Sequence, residues 1–145
     1  MPHTDFFRGK RVTVMGLGRL GRGVGDAQYI AAAGAAQVLV TDQKTEAALA
    51  DSVAALREYP NVDFRLGEHR EEDFTNCDLV LVAAGVPKDS PYLAAAARAG
   101  VRCAQSAALF ASLSGVPMIG VTGTRGKSTV THLIHHVLTT ATGER

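Results

Sequence analysis

Short apolar runs alternate with helix-length segments, a glycine-rich turn stands directly behind the first run, and a glycine-lysine turn follows near residue 123. Together these predict an α/β protein: a Rossmann-like, doubly wound, mainly parallel five-stranded sheet, followed by the first P-loop βα unit of a second α/β domain. Ser114-Gly115-Val116-Pro117 has the composition of a hinge, so the expected domains are 1–115 and 116–145.

Arg11–Met15 (RVTVM) is a β-branched run ending at glycine, which marks a buried strand. Residues 20–33 are helix-length and rich in small side chains, and Gly34 is a good stop because glycine enters the left-handed conformation freely. Residues 37–40 (QVLV) make a second strand. Thr45 can then cap a helix over 46–59, with Leu49, Val53 and Leu56 on one face and Pro60 ending it.

Val62–Leu66 (VDFRL) alternates, so one face of this third strand is expected in water. Residues 78–83 (DLVLVA) form the most hydrophobic strand and belong inside the sheet. Asp89-Ser90-Pro91 starts a helix that Gly100 ends, with proline at the first helical position. Residues 101–104 make a fifth strand, and Ser106 caps a short helix over 107–113. The pattern then restarts with a strand at 118–121 (MIGV), a loop at 122–129 and a helix at 127–140. A lone βα unit cannot bury its own apolar surface, so this last segment is expected to be the beginning of a second domain, cut short.

The chain has 145 residues and a formal net charge of +1, which argues against an electrostatic nucleic-acid binder. Its longest mostly apolar stretch, LVLVAAGV, is too short to cross a bilayer, and its N-terminus has no apolar signal region. The expectation is a soluble, cytoplasmic chain without membrane insertion, whose Cys77 and Cys103 are reduced thiols packed as small buried hydrophobes.

Two motifs carry chemistry. Gly16-Leu17-Gly18-Arg19-Leu20-Gly21 is a G-x-G-x-x-G directly behind the first strand, where tight turning and helix amides favour a diphosphate. Asp42 ends the second strand, where an acidic group commonly accepts a ribose hydroxyl. This pair alone is compatible with NAD, with another diphosphate nucleotide, or with a glycine turn that packs helix on strand without a ligand. Gly23 and Gly25 inside the next helix cost about 1 kcal/mol each against alanine, so backbone there approaches either sheet or ligand.

The second motif, Gly123-Thr124-Arg125-Gly126-Lys127-Ser128-Thr129, is more specific. Backbone amides of such a loop cradle phosphates, Lys127 reaches the terminal ones, and Ser128 or Thr129 can ligate Mg²⁺. Val121 stands where a strict P-loop has its first glycine. A dehydrogenase has no use for this second loop.

Thr122-Gly123-Thr124-x-Gly126-Lys127-Ser128-Thr129 resembles the loop of the Mur ligases, the ATP-dependent amide ligases of peptidoglycan synthesis. Gly16-Leu17-Gly18-x-x-Gly21, Leu66-Gly67-Glu68-His69 and Ala84-Gly85-Val86-Pro87-Lys88-Asp89-Ser90-Pro91 extend the resemblance over the whole chain, toward the members that add D-glutamate to UDP-N-acetylmuramoyl-L-alanine. The family enzymes are much longer.

The resemblance implies a first domain holding the UDP part of the substrate and a central ATP-binding domain starting near Pro117. It places Gly16, Gly18, Arg19, Leu20 and Gly21 beside the diphosphate and uridine, Asp42, Gln43 and Lys44 around the uracil, and Gly85 over the nucleotide. Gly123, Thr124, Arg125, Gly126, Lys127, Ser128 and Thr129 are implied to hold ATP, with Lys127 catalytic and Ser128 and Thr129 near Mg²⁺. The implied reaction phosphorylates the alanine carboxylate to an acyl phosphate, which the D-glutamate amine attacks. No obligatory protein partner is implied, and residues that bind D-glutamate and complete the site fall outside this chain, so the fragment alone is not expected to catalyse. The chain departs from the family pattern at Leu20 (often Ser or Thr), Ala83-Ala84 (commonly Ser-Pro), Ala107-Ala108 (usually including an acid) and Arg125 (frequently Asn).

Other signals are weaker. His132, His135 and His136 share a helix face but lack the further ligands of a zinc site, so an interdomain or solvent face is expected. The mixed-charge run Glu68-His69-Arg70-Glu71-Glu72-Asp73 is expected to be a solvated connection. Two other functions remain open: a different Mur ligase, such as the L-alanine-adding enzyme, and a non-catalytic nucleotide module of NAD type.

Overall fold

Five parallel strands form from the β-branched and leucine-rich runs in a computed structural model that describes residues 5–17 and 22–143. Four of the residues expected in the first phosphate turn, Gly18, Arg19, Leu20 and Gly21, lie outside the described residues. The chain separates into two compact units, Met1–Ser114 and Gly115–Arg145.

In the first unit the strands are β1 (Arg11–Met15), β2 (Gln37–Asp42), β3 (Val62–Leu66), β4 (Leu79–Val82) and β5 (Arg102–Ala104). Their spatial order is β3-β2-β1-β4-β5, so the chain winds outward from β1 first to one side and then to the other. Register is set by apolar pairs: Val12 lies opposite Val38 and Leu79, and Val14 opposite Val40 and Leu81. β4 reads as an unbroken apolar run because both its faces are covered. Leu79 and Leu81 join the larger core with Val12, Val14, Ile30 and Leu109, while Val80 and Val82 join a second core with Met15, Phe74 and Ala96. β3 is an edge strand, and its Asp63 is exposed as the alternating pattern predicts.

The helices are α1 (Arg22–Ala32), α2 (Ala50–Ala54), α3 (Glu72–Thr75), α4 (Pro91–Arg98) and α5 (Ser106–Leu113). Gly34 and Gly100 adopt positive φ behind α1 and α4, as their places in the sequence require. Several expectations are corrected. The single helix over 46–59 is instead a 3₁₀ turn at Ala47–Leu49 and the five-residue α2, broken at Leu49 (φ −121°, ψ 17°), and Thr45 caps neither. Leu49, Val53 and Leu56 are all buried nonetheless. Burial of these three side chains prevails over the helical propensity between them.

The mixed-charge run is exposed at Glu68, Arg70, Glu71 and Glu72, as expected, but not at its end. There α3 begins, and its Asp73 is buried and takes a salt bridge from Arg65 Nε at 2.9 Å, while the Thr13 hydroxyl donates to the Asp73 carbonyl at 2.6 Å. A helix between β3 and β4 also restores the strict alternation that a parallel crossover needs. Ser106 is the first residue of α5 and does not cap it; its hydroxyl donates instead to Asp26 of α1. Cys77 is only half-buried and Cys103 is exposed, because β5 is a three-residue edge strand.

In the second unit the expected strand at 118–121 does not form. A strand exists only through a ladder with a neighbour, and the described residues of this unit contain no other strand. Its helix, α6 (Lys127–Thr142), runs from Gly126 to Gly143, both with positive φ. None of its residues is buried. Among the described residues no helix is long and apolar enough to cross a membrane.

Candidate functional site

The two winding directions part between β1 and β4, and at that point the carboxyl ends of the strands leave an open crevice. Two adjoining clefts lie there, of about 550 and 770 Å³, sharing Gly16, Ala83 and Gly85. The first runs past Leu17, Gly23 and Asp26 of the turn and α1 to Gln105 and Ser106. The second is walled by Asp42, Gln43, Lys44 and His69 on one side and by Val86, Asp89 and Tyr92 on the other. A smaller groove of about 290 Å³ beside α5 is lined mostly by apolar side chains, with Tyr29 and with Asp26 and Ser106, which bond each other.

The floor of the crevice is built for close backbone approach. Gly16 has φ 87° and donates its N–H to the Thr41 carbonyl at 2.8 Å; a Cβ there would come 3.2 Å from the Ala83 Cβ. Gly23 is tighter still. A Cβ on it would meet Leu17 Cα at 2.6 Å and the carbonyl oxygens of Gly16 and Leu17 at 2.7 Å, whereas Gly25 has nothing within 4 Å. The two helix glycines therefore differ: Gly23 lets α1 press onto the turn, and Gly25 touches neither sheet nor turn.

Asp42 ties the turn to the end of β2. One carboxylate oxygen accepts the Leu17 N–H at 3.0 Å and the other the Lys44 N–H at 2.9 Å. Gly67 N–H closes the same corner onto the carbonyls of Asp42 and Lys44 at 2.9 and 2.8 Å. Charged hydrogen bonds of this kind are stronger than neutral ones, so the acid that ends β2 also fixes the loop carrying Gln43 and Lys44.

Gly16, Asp42, Gln43, Lys44 and Gly85, which come from three separate loops, are thus brought to one cleft. His69 joins them without having been singled out as a site residue. Its Nδ1 lies 2.7 Å from the hydroxyl of fully buried Thr41, and its ring packs edgewise on Phe74 and Tyr92. Burial lowers the His69 pKa from its ordinary 6.5, against the pull of the Asp42 and Asp73 carboxylates. The stretch Leu66-Gly67-Glu68-His69 was visible in the sequence, but its charged neighbours masked the placement.

The second unit carries its own loop. Gly123 (φ 152°) and Gly126 (φ 75°) hold backbone shapes that favour glycine, and the Lys127 ammonium donates to the Gly123 carbonyl at 2.7 Å. Thr124, Arg125, Ser128 and Thr129 are exposed around it. His132, His135 and His136 are exposed on α6, and no cluster of His, Cys, Asp or Glu among the described residues could hold a metal ion.

Residues 10–105 match the family described as the N-terminal domain of MurD-like Mur ligases. The chain belongs to that family. Among curated relatives named UDP-N-acetylmuramoylalanine–D-glutamate ligase, that of Treponema pallidum is 44% identical over 124 residues, covering 83% of this chain and 23% of the relative. Those of Anaeromyxobacter dehalogenans (46% over 127 residues, 87% and 26%) and Roseiflexus sp. (42% over 130 residues, 90% and 28%) are alike. The chain spans about a quarter of the length of these relatives. Among solved structures, a shikimate 5-dehydrogenase from Mycobacterium fortuitum aligns with TM-score 0.49 at 13% identity, over 80% of this chain and 57% of that one; likeness at that level says nothing about a ligand. In this MurD-like domain the crevice residues of the glycine turn, the β2 end and the β4 loop all fall within the matched segment.

Proposed function

We propose that this chain contributes the UDP-substrate domain and the start of the ATP-binding domain of a peptidoglycan ligase, which joins D-glutamate to UDP-N-acetylmuramoyl-L-alanine. The observation that carries this is the meeting of Gly16, Asp42, Gln43, Lys44 and Gly85 in one cleft at the point where the sheet reverses its winding. The names of the relatives support it. Residues 1–115 are assigned to the UDP moiety and 116–145 to the nucleotide triphosphate, both as cytoplasmic functions of cell-wall synthesis. Gly16, Gly18, Arg19, Leu20 and Gly21 are assigned to the diphosphate side.

Asp42 acts as the clasp of the turn: each of its oxygens accepts one backbone amide and keeps acceptor capacity for a ligand.

The Gly123–Thr129 loop suits a triphosphate with Mg²⁺. Its glycines hold the positive-φ shapes of the loop, α6 directs its first N–H groups toward the loop, and Ser128 and Thr129 offer the hard hydroxyl oxygens that Mg²⁺ prefers. When bound, ATP and Mg²⁺ supply the phosphoryl group that activates the alanine carboxylate as an acyl phosphate and the positive charge that offsets carboxylate–phosphate repulsion. Lys127 would exchange the Gly123 carbonyl for a phosphate oxygen, keeping its ammonium at the loop. Turnover is assigned to protein that also contains what lies beyond the match in the relatives.

Calorimetry of the chain against UDP-N-acetylmuramoyl-L-alanine, ATP and NADH tests this. Binding of the UDP substrate, weaker binding of ATP and none of NADH is expected; preference for NADH would refute it. Lys127→Ala is expected to remove ATP binding and leave UDP-substrate affinity unchanged, and equal loss of both would overturn the division of roles.

A further inference from the structure

His69 reaches the crevice from the connection between β3 and α3, where it lines the larger cleft with Asp42, Gln43, Lys44, Gly85 and Tyr92. Its ring is fixed on three sides. Nδ1 sits 2.7 Å from Thr41 Oγ1, and the ring stands edge-on to Phe74 and Tyr92 at centroid distances of 5.6 and 5.3 Å. Phe74 and Tyr92 are themselves stacked at 5.2 Å, which braces the pair.

Thr41 Oγ1 stands between His69 Nδ1 at 2.7 Å and the Glu68 carbonyl at 3.4 Å. Either neutral tautomer fits the shorter contact, and the imidazolium satisfies both: Nδ1–H donates to Thr41, the Thr41 proton goes to Glu68, and Nε2–H is left for a ligand. The two nitrogens lie on different edges of the imidazole. Nδ1 is held against a buried hydroxyl, and among the described residues Nε2 has no hydrogen-bond partner. A fixed donor left unpartnered in a cleft loses little freedom when a ligand accepts from it.

We propose that His69 is a ligand-contacting residue of this cleft, its Nε2–H donating to an acceptor oxygen of the bound nucleoside diphosphate while Thr41 holds the other ring nitrogen. This rests on the assignment of the cleft to the UDP moiety. Charged and titratable neighbours on every side are Asp42 at the end of β2, Asp73 on α3, Tyr92 on α4, Lys44 and Asp89 in the cleft, and Glu68, which is paired with Arg70. An incoming diphosphate adds negative charge to this set, so binding raises the His69 pKa, and by linkage affinity rises as pH falls through it.

The test uses the 145-residue chain with UDP and UDP-N-acetylmuramoyl-L-alanine as probes. His69→Gln places an amide nitrogen near the Nε2 position, whereas His69→Asn supplies only a partner for Thr41. The Gln variant is expected to bind within about threefold of the unmodified chain and the Asn variant about tenfold more weakly. Equal affinities, or the reverse order, would overturn the contact. Imidazole ¹⁵N resonances of the unmodified chain provide a second measure that needs no variant to fold: the His69 titration is expected to move to higher pH at saturating UDP, and an unmoved titration would refute the proposal. Failure of the unmodified chain to bind either probe would instead overturn the assignment of the cleft, and this inference with it.

Discussion

The molecule carries two glycine-rich loops, each leading into a helix, and the two are supported in opposite ways. The turn after β1 is tied down by tertiary contacts: Gly16 N–H to Thr41, Leu17 N–H to Asp42, and α1 pressed against it at Gly23. The Gly123–Thr129 loop is held by its own chain, through two glycines of positive φ and the Lys127 ammonium on the Gly123 carbonyl. Around the first loop, apolar side chains are buried on both faces of a sheet. Along α6, Val130, Leu133, Val137 and Leu138 remain exposed. A loop motif can therefore keep its local geometry on glycine conformation and one lysine contact within its own chain, but its stability comes from what is packed behind it.

The largest expected effect tests that contrast directly. Amide hydrogen exchange in α6 is expected to be faster than in β1 and β4 by about a thousandfold or more, because a 16-residue helix with no buried residue is marginal by itself. Equal protection in the two regions, measured by mass spectrometry, would break the comparison.

Next in size is Gly23→Ala. Its Cβ would meet backbone at 2.6–2.7 Å, and backbone cannot step aside as a flexible side chain can. A loss of about 3 kcal/mol in urea unfolding is expected. Gly25→Ala, with open space around it, should instead stabilise by about 0.5–1 kcal/mol. Similar behaviour of the two would deny the turn its helix contact.

Asp73→Ala removes the buried partner of Arg65 and of the Arg70 N–H. Because Arg65 keeps partial access to water, the expected loss is about 2 kcal/mol, below the range for a fully buried pair. The urea midpoint should fall while the α6 exchange rates stay unchanged.

The smallest effect is one of pH. His69 has its folded pKa lowered by burial, so below the ordinary 6.5 the unfolded chain binds more protons than the folded one. Stability then rises with pH across this window, and falls as pH drops from about neutrality through the folded pKa. The slope of the urea midpoint between pH 7 and 5 should be shallower in His69→Gln; an unchanged slope would show that the ring does not titrate as placed.

Much of the first unit is legible in order along the chain. Arg11–Met15 and Val62–Leu66 form with the bounds their patterns suggest, and Gly34, Pro91 and Gly100 mark helix ends by their own conformational rules. Of the crevice residues, Gly16 and Asp42 could be named because one follows and the other ends a recognisable strand, whereas Gln43, Lys44 and Gly85 were implied by the resemblance to the Mur ligases. What escaped was any feature set by a partner far away in sequence. The helix α3 is four residues long and half acidic, and it gains its place through distant partners, Thr13 and Arg65 at Asp73 and the second core around Phe74. His69 is unremarkable in its charged run until the Thr41 hydroxyl and two aromatic rings surround it.

The sequence by itself determined the α/β alternation, a mainly parallel five-stranded sheet, the positions of both glycine loops and the resemblance to the Mur ligases. Period, glycine placement and motif spacing are local properties, readable within a few residues. Only the tertiary structure decided that the segment over 46–59 breaks at Leu49, that residues 118–121 make no strand, that Gly23 and Gly25 have different roles, and that Asp42 clasps the turn. Each of these depends on a non-local contact: a core to fill, a strand to pair with, a backbone to approach or an amide to receive.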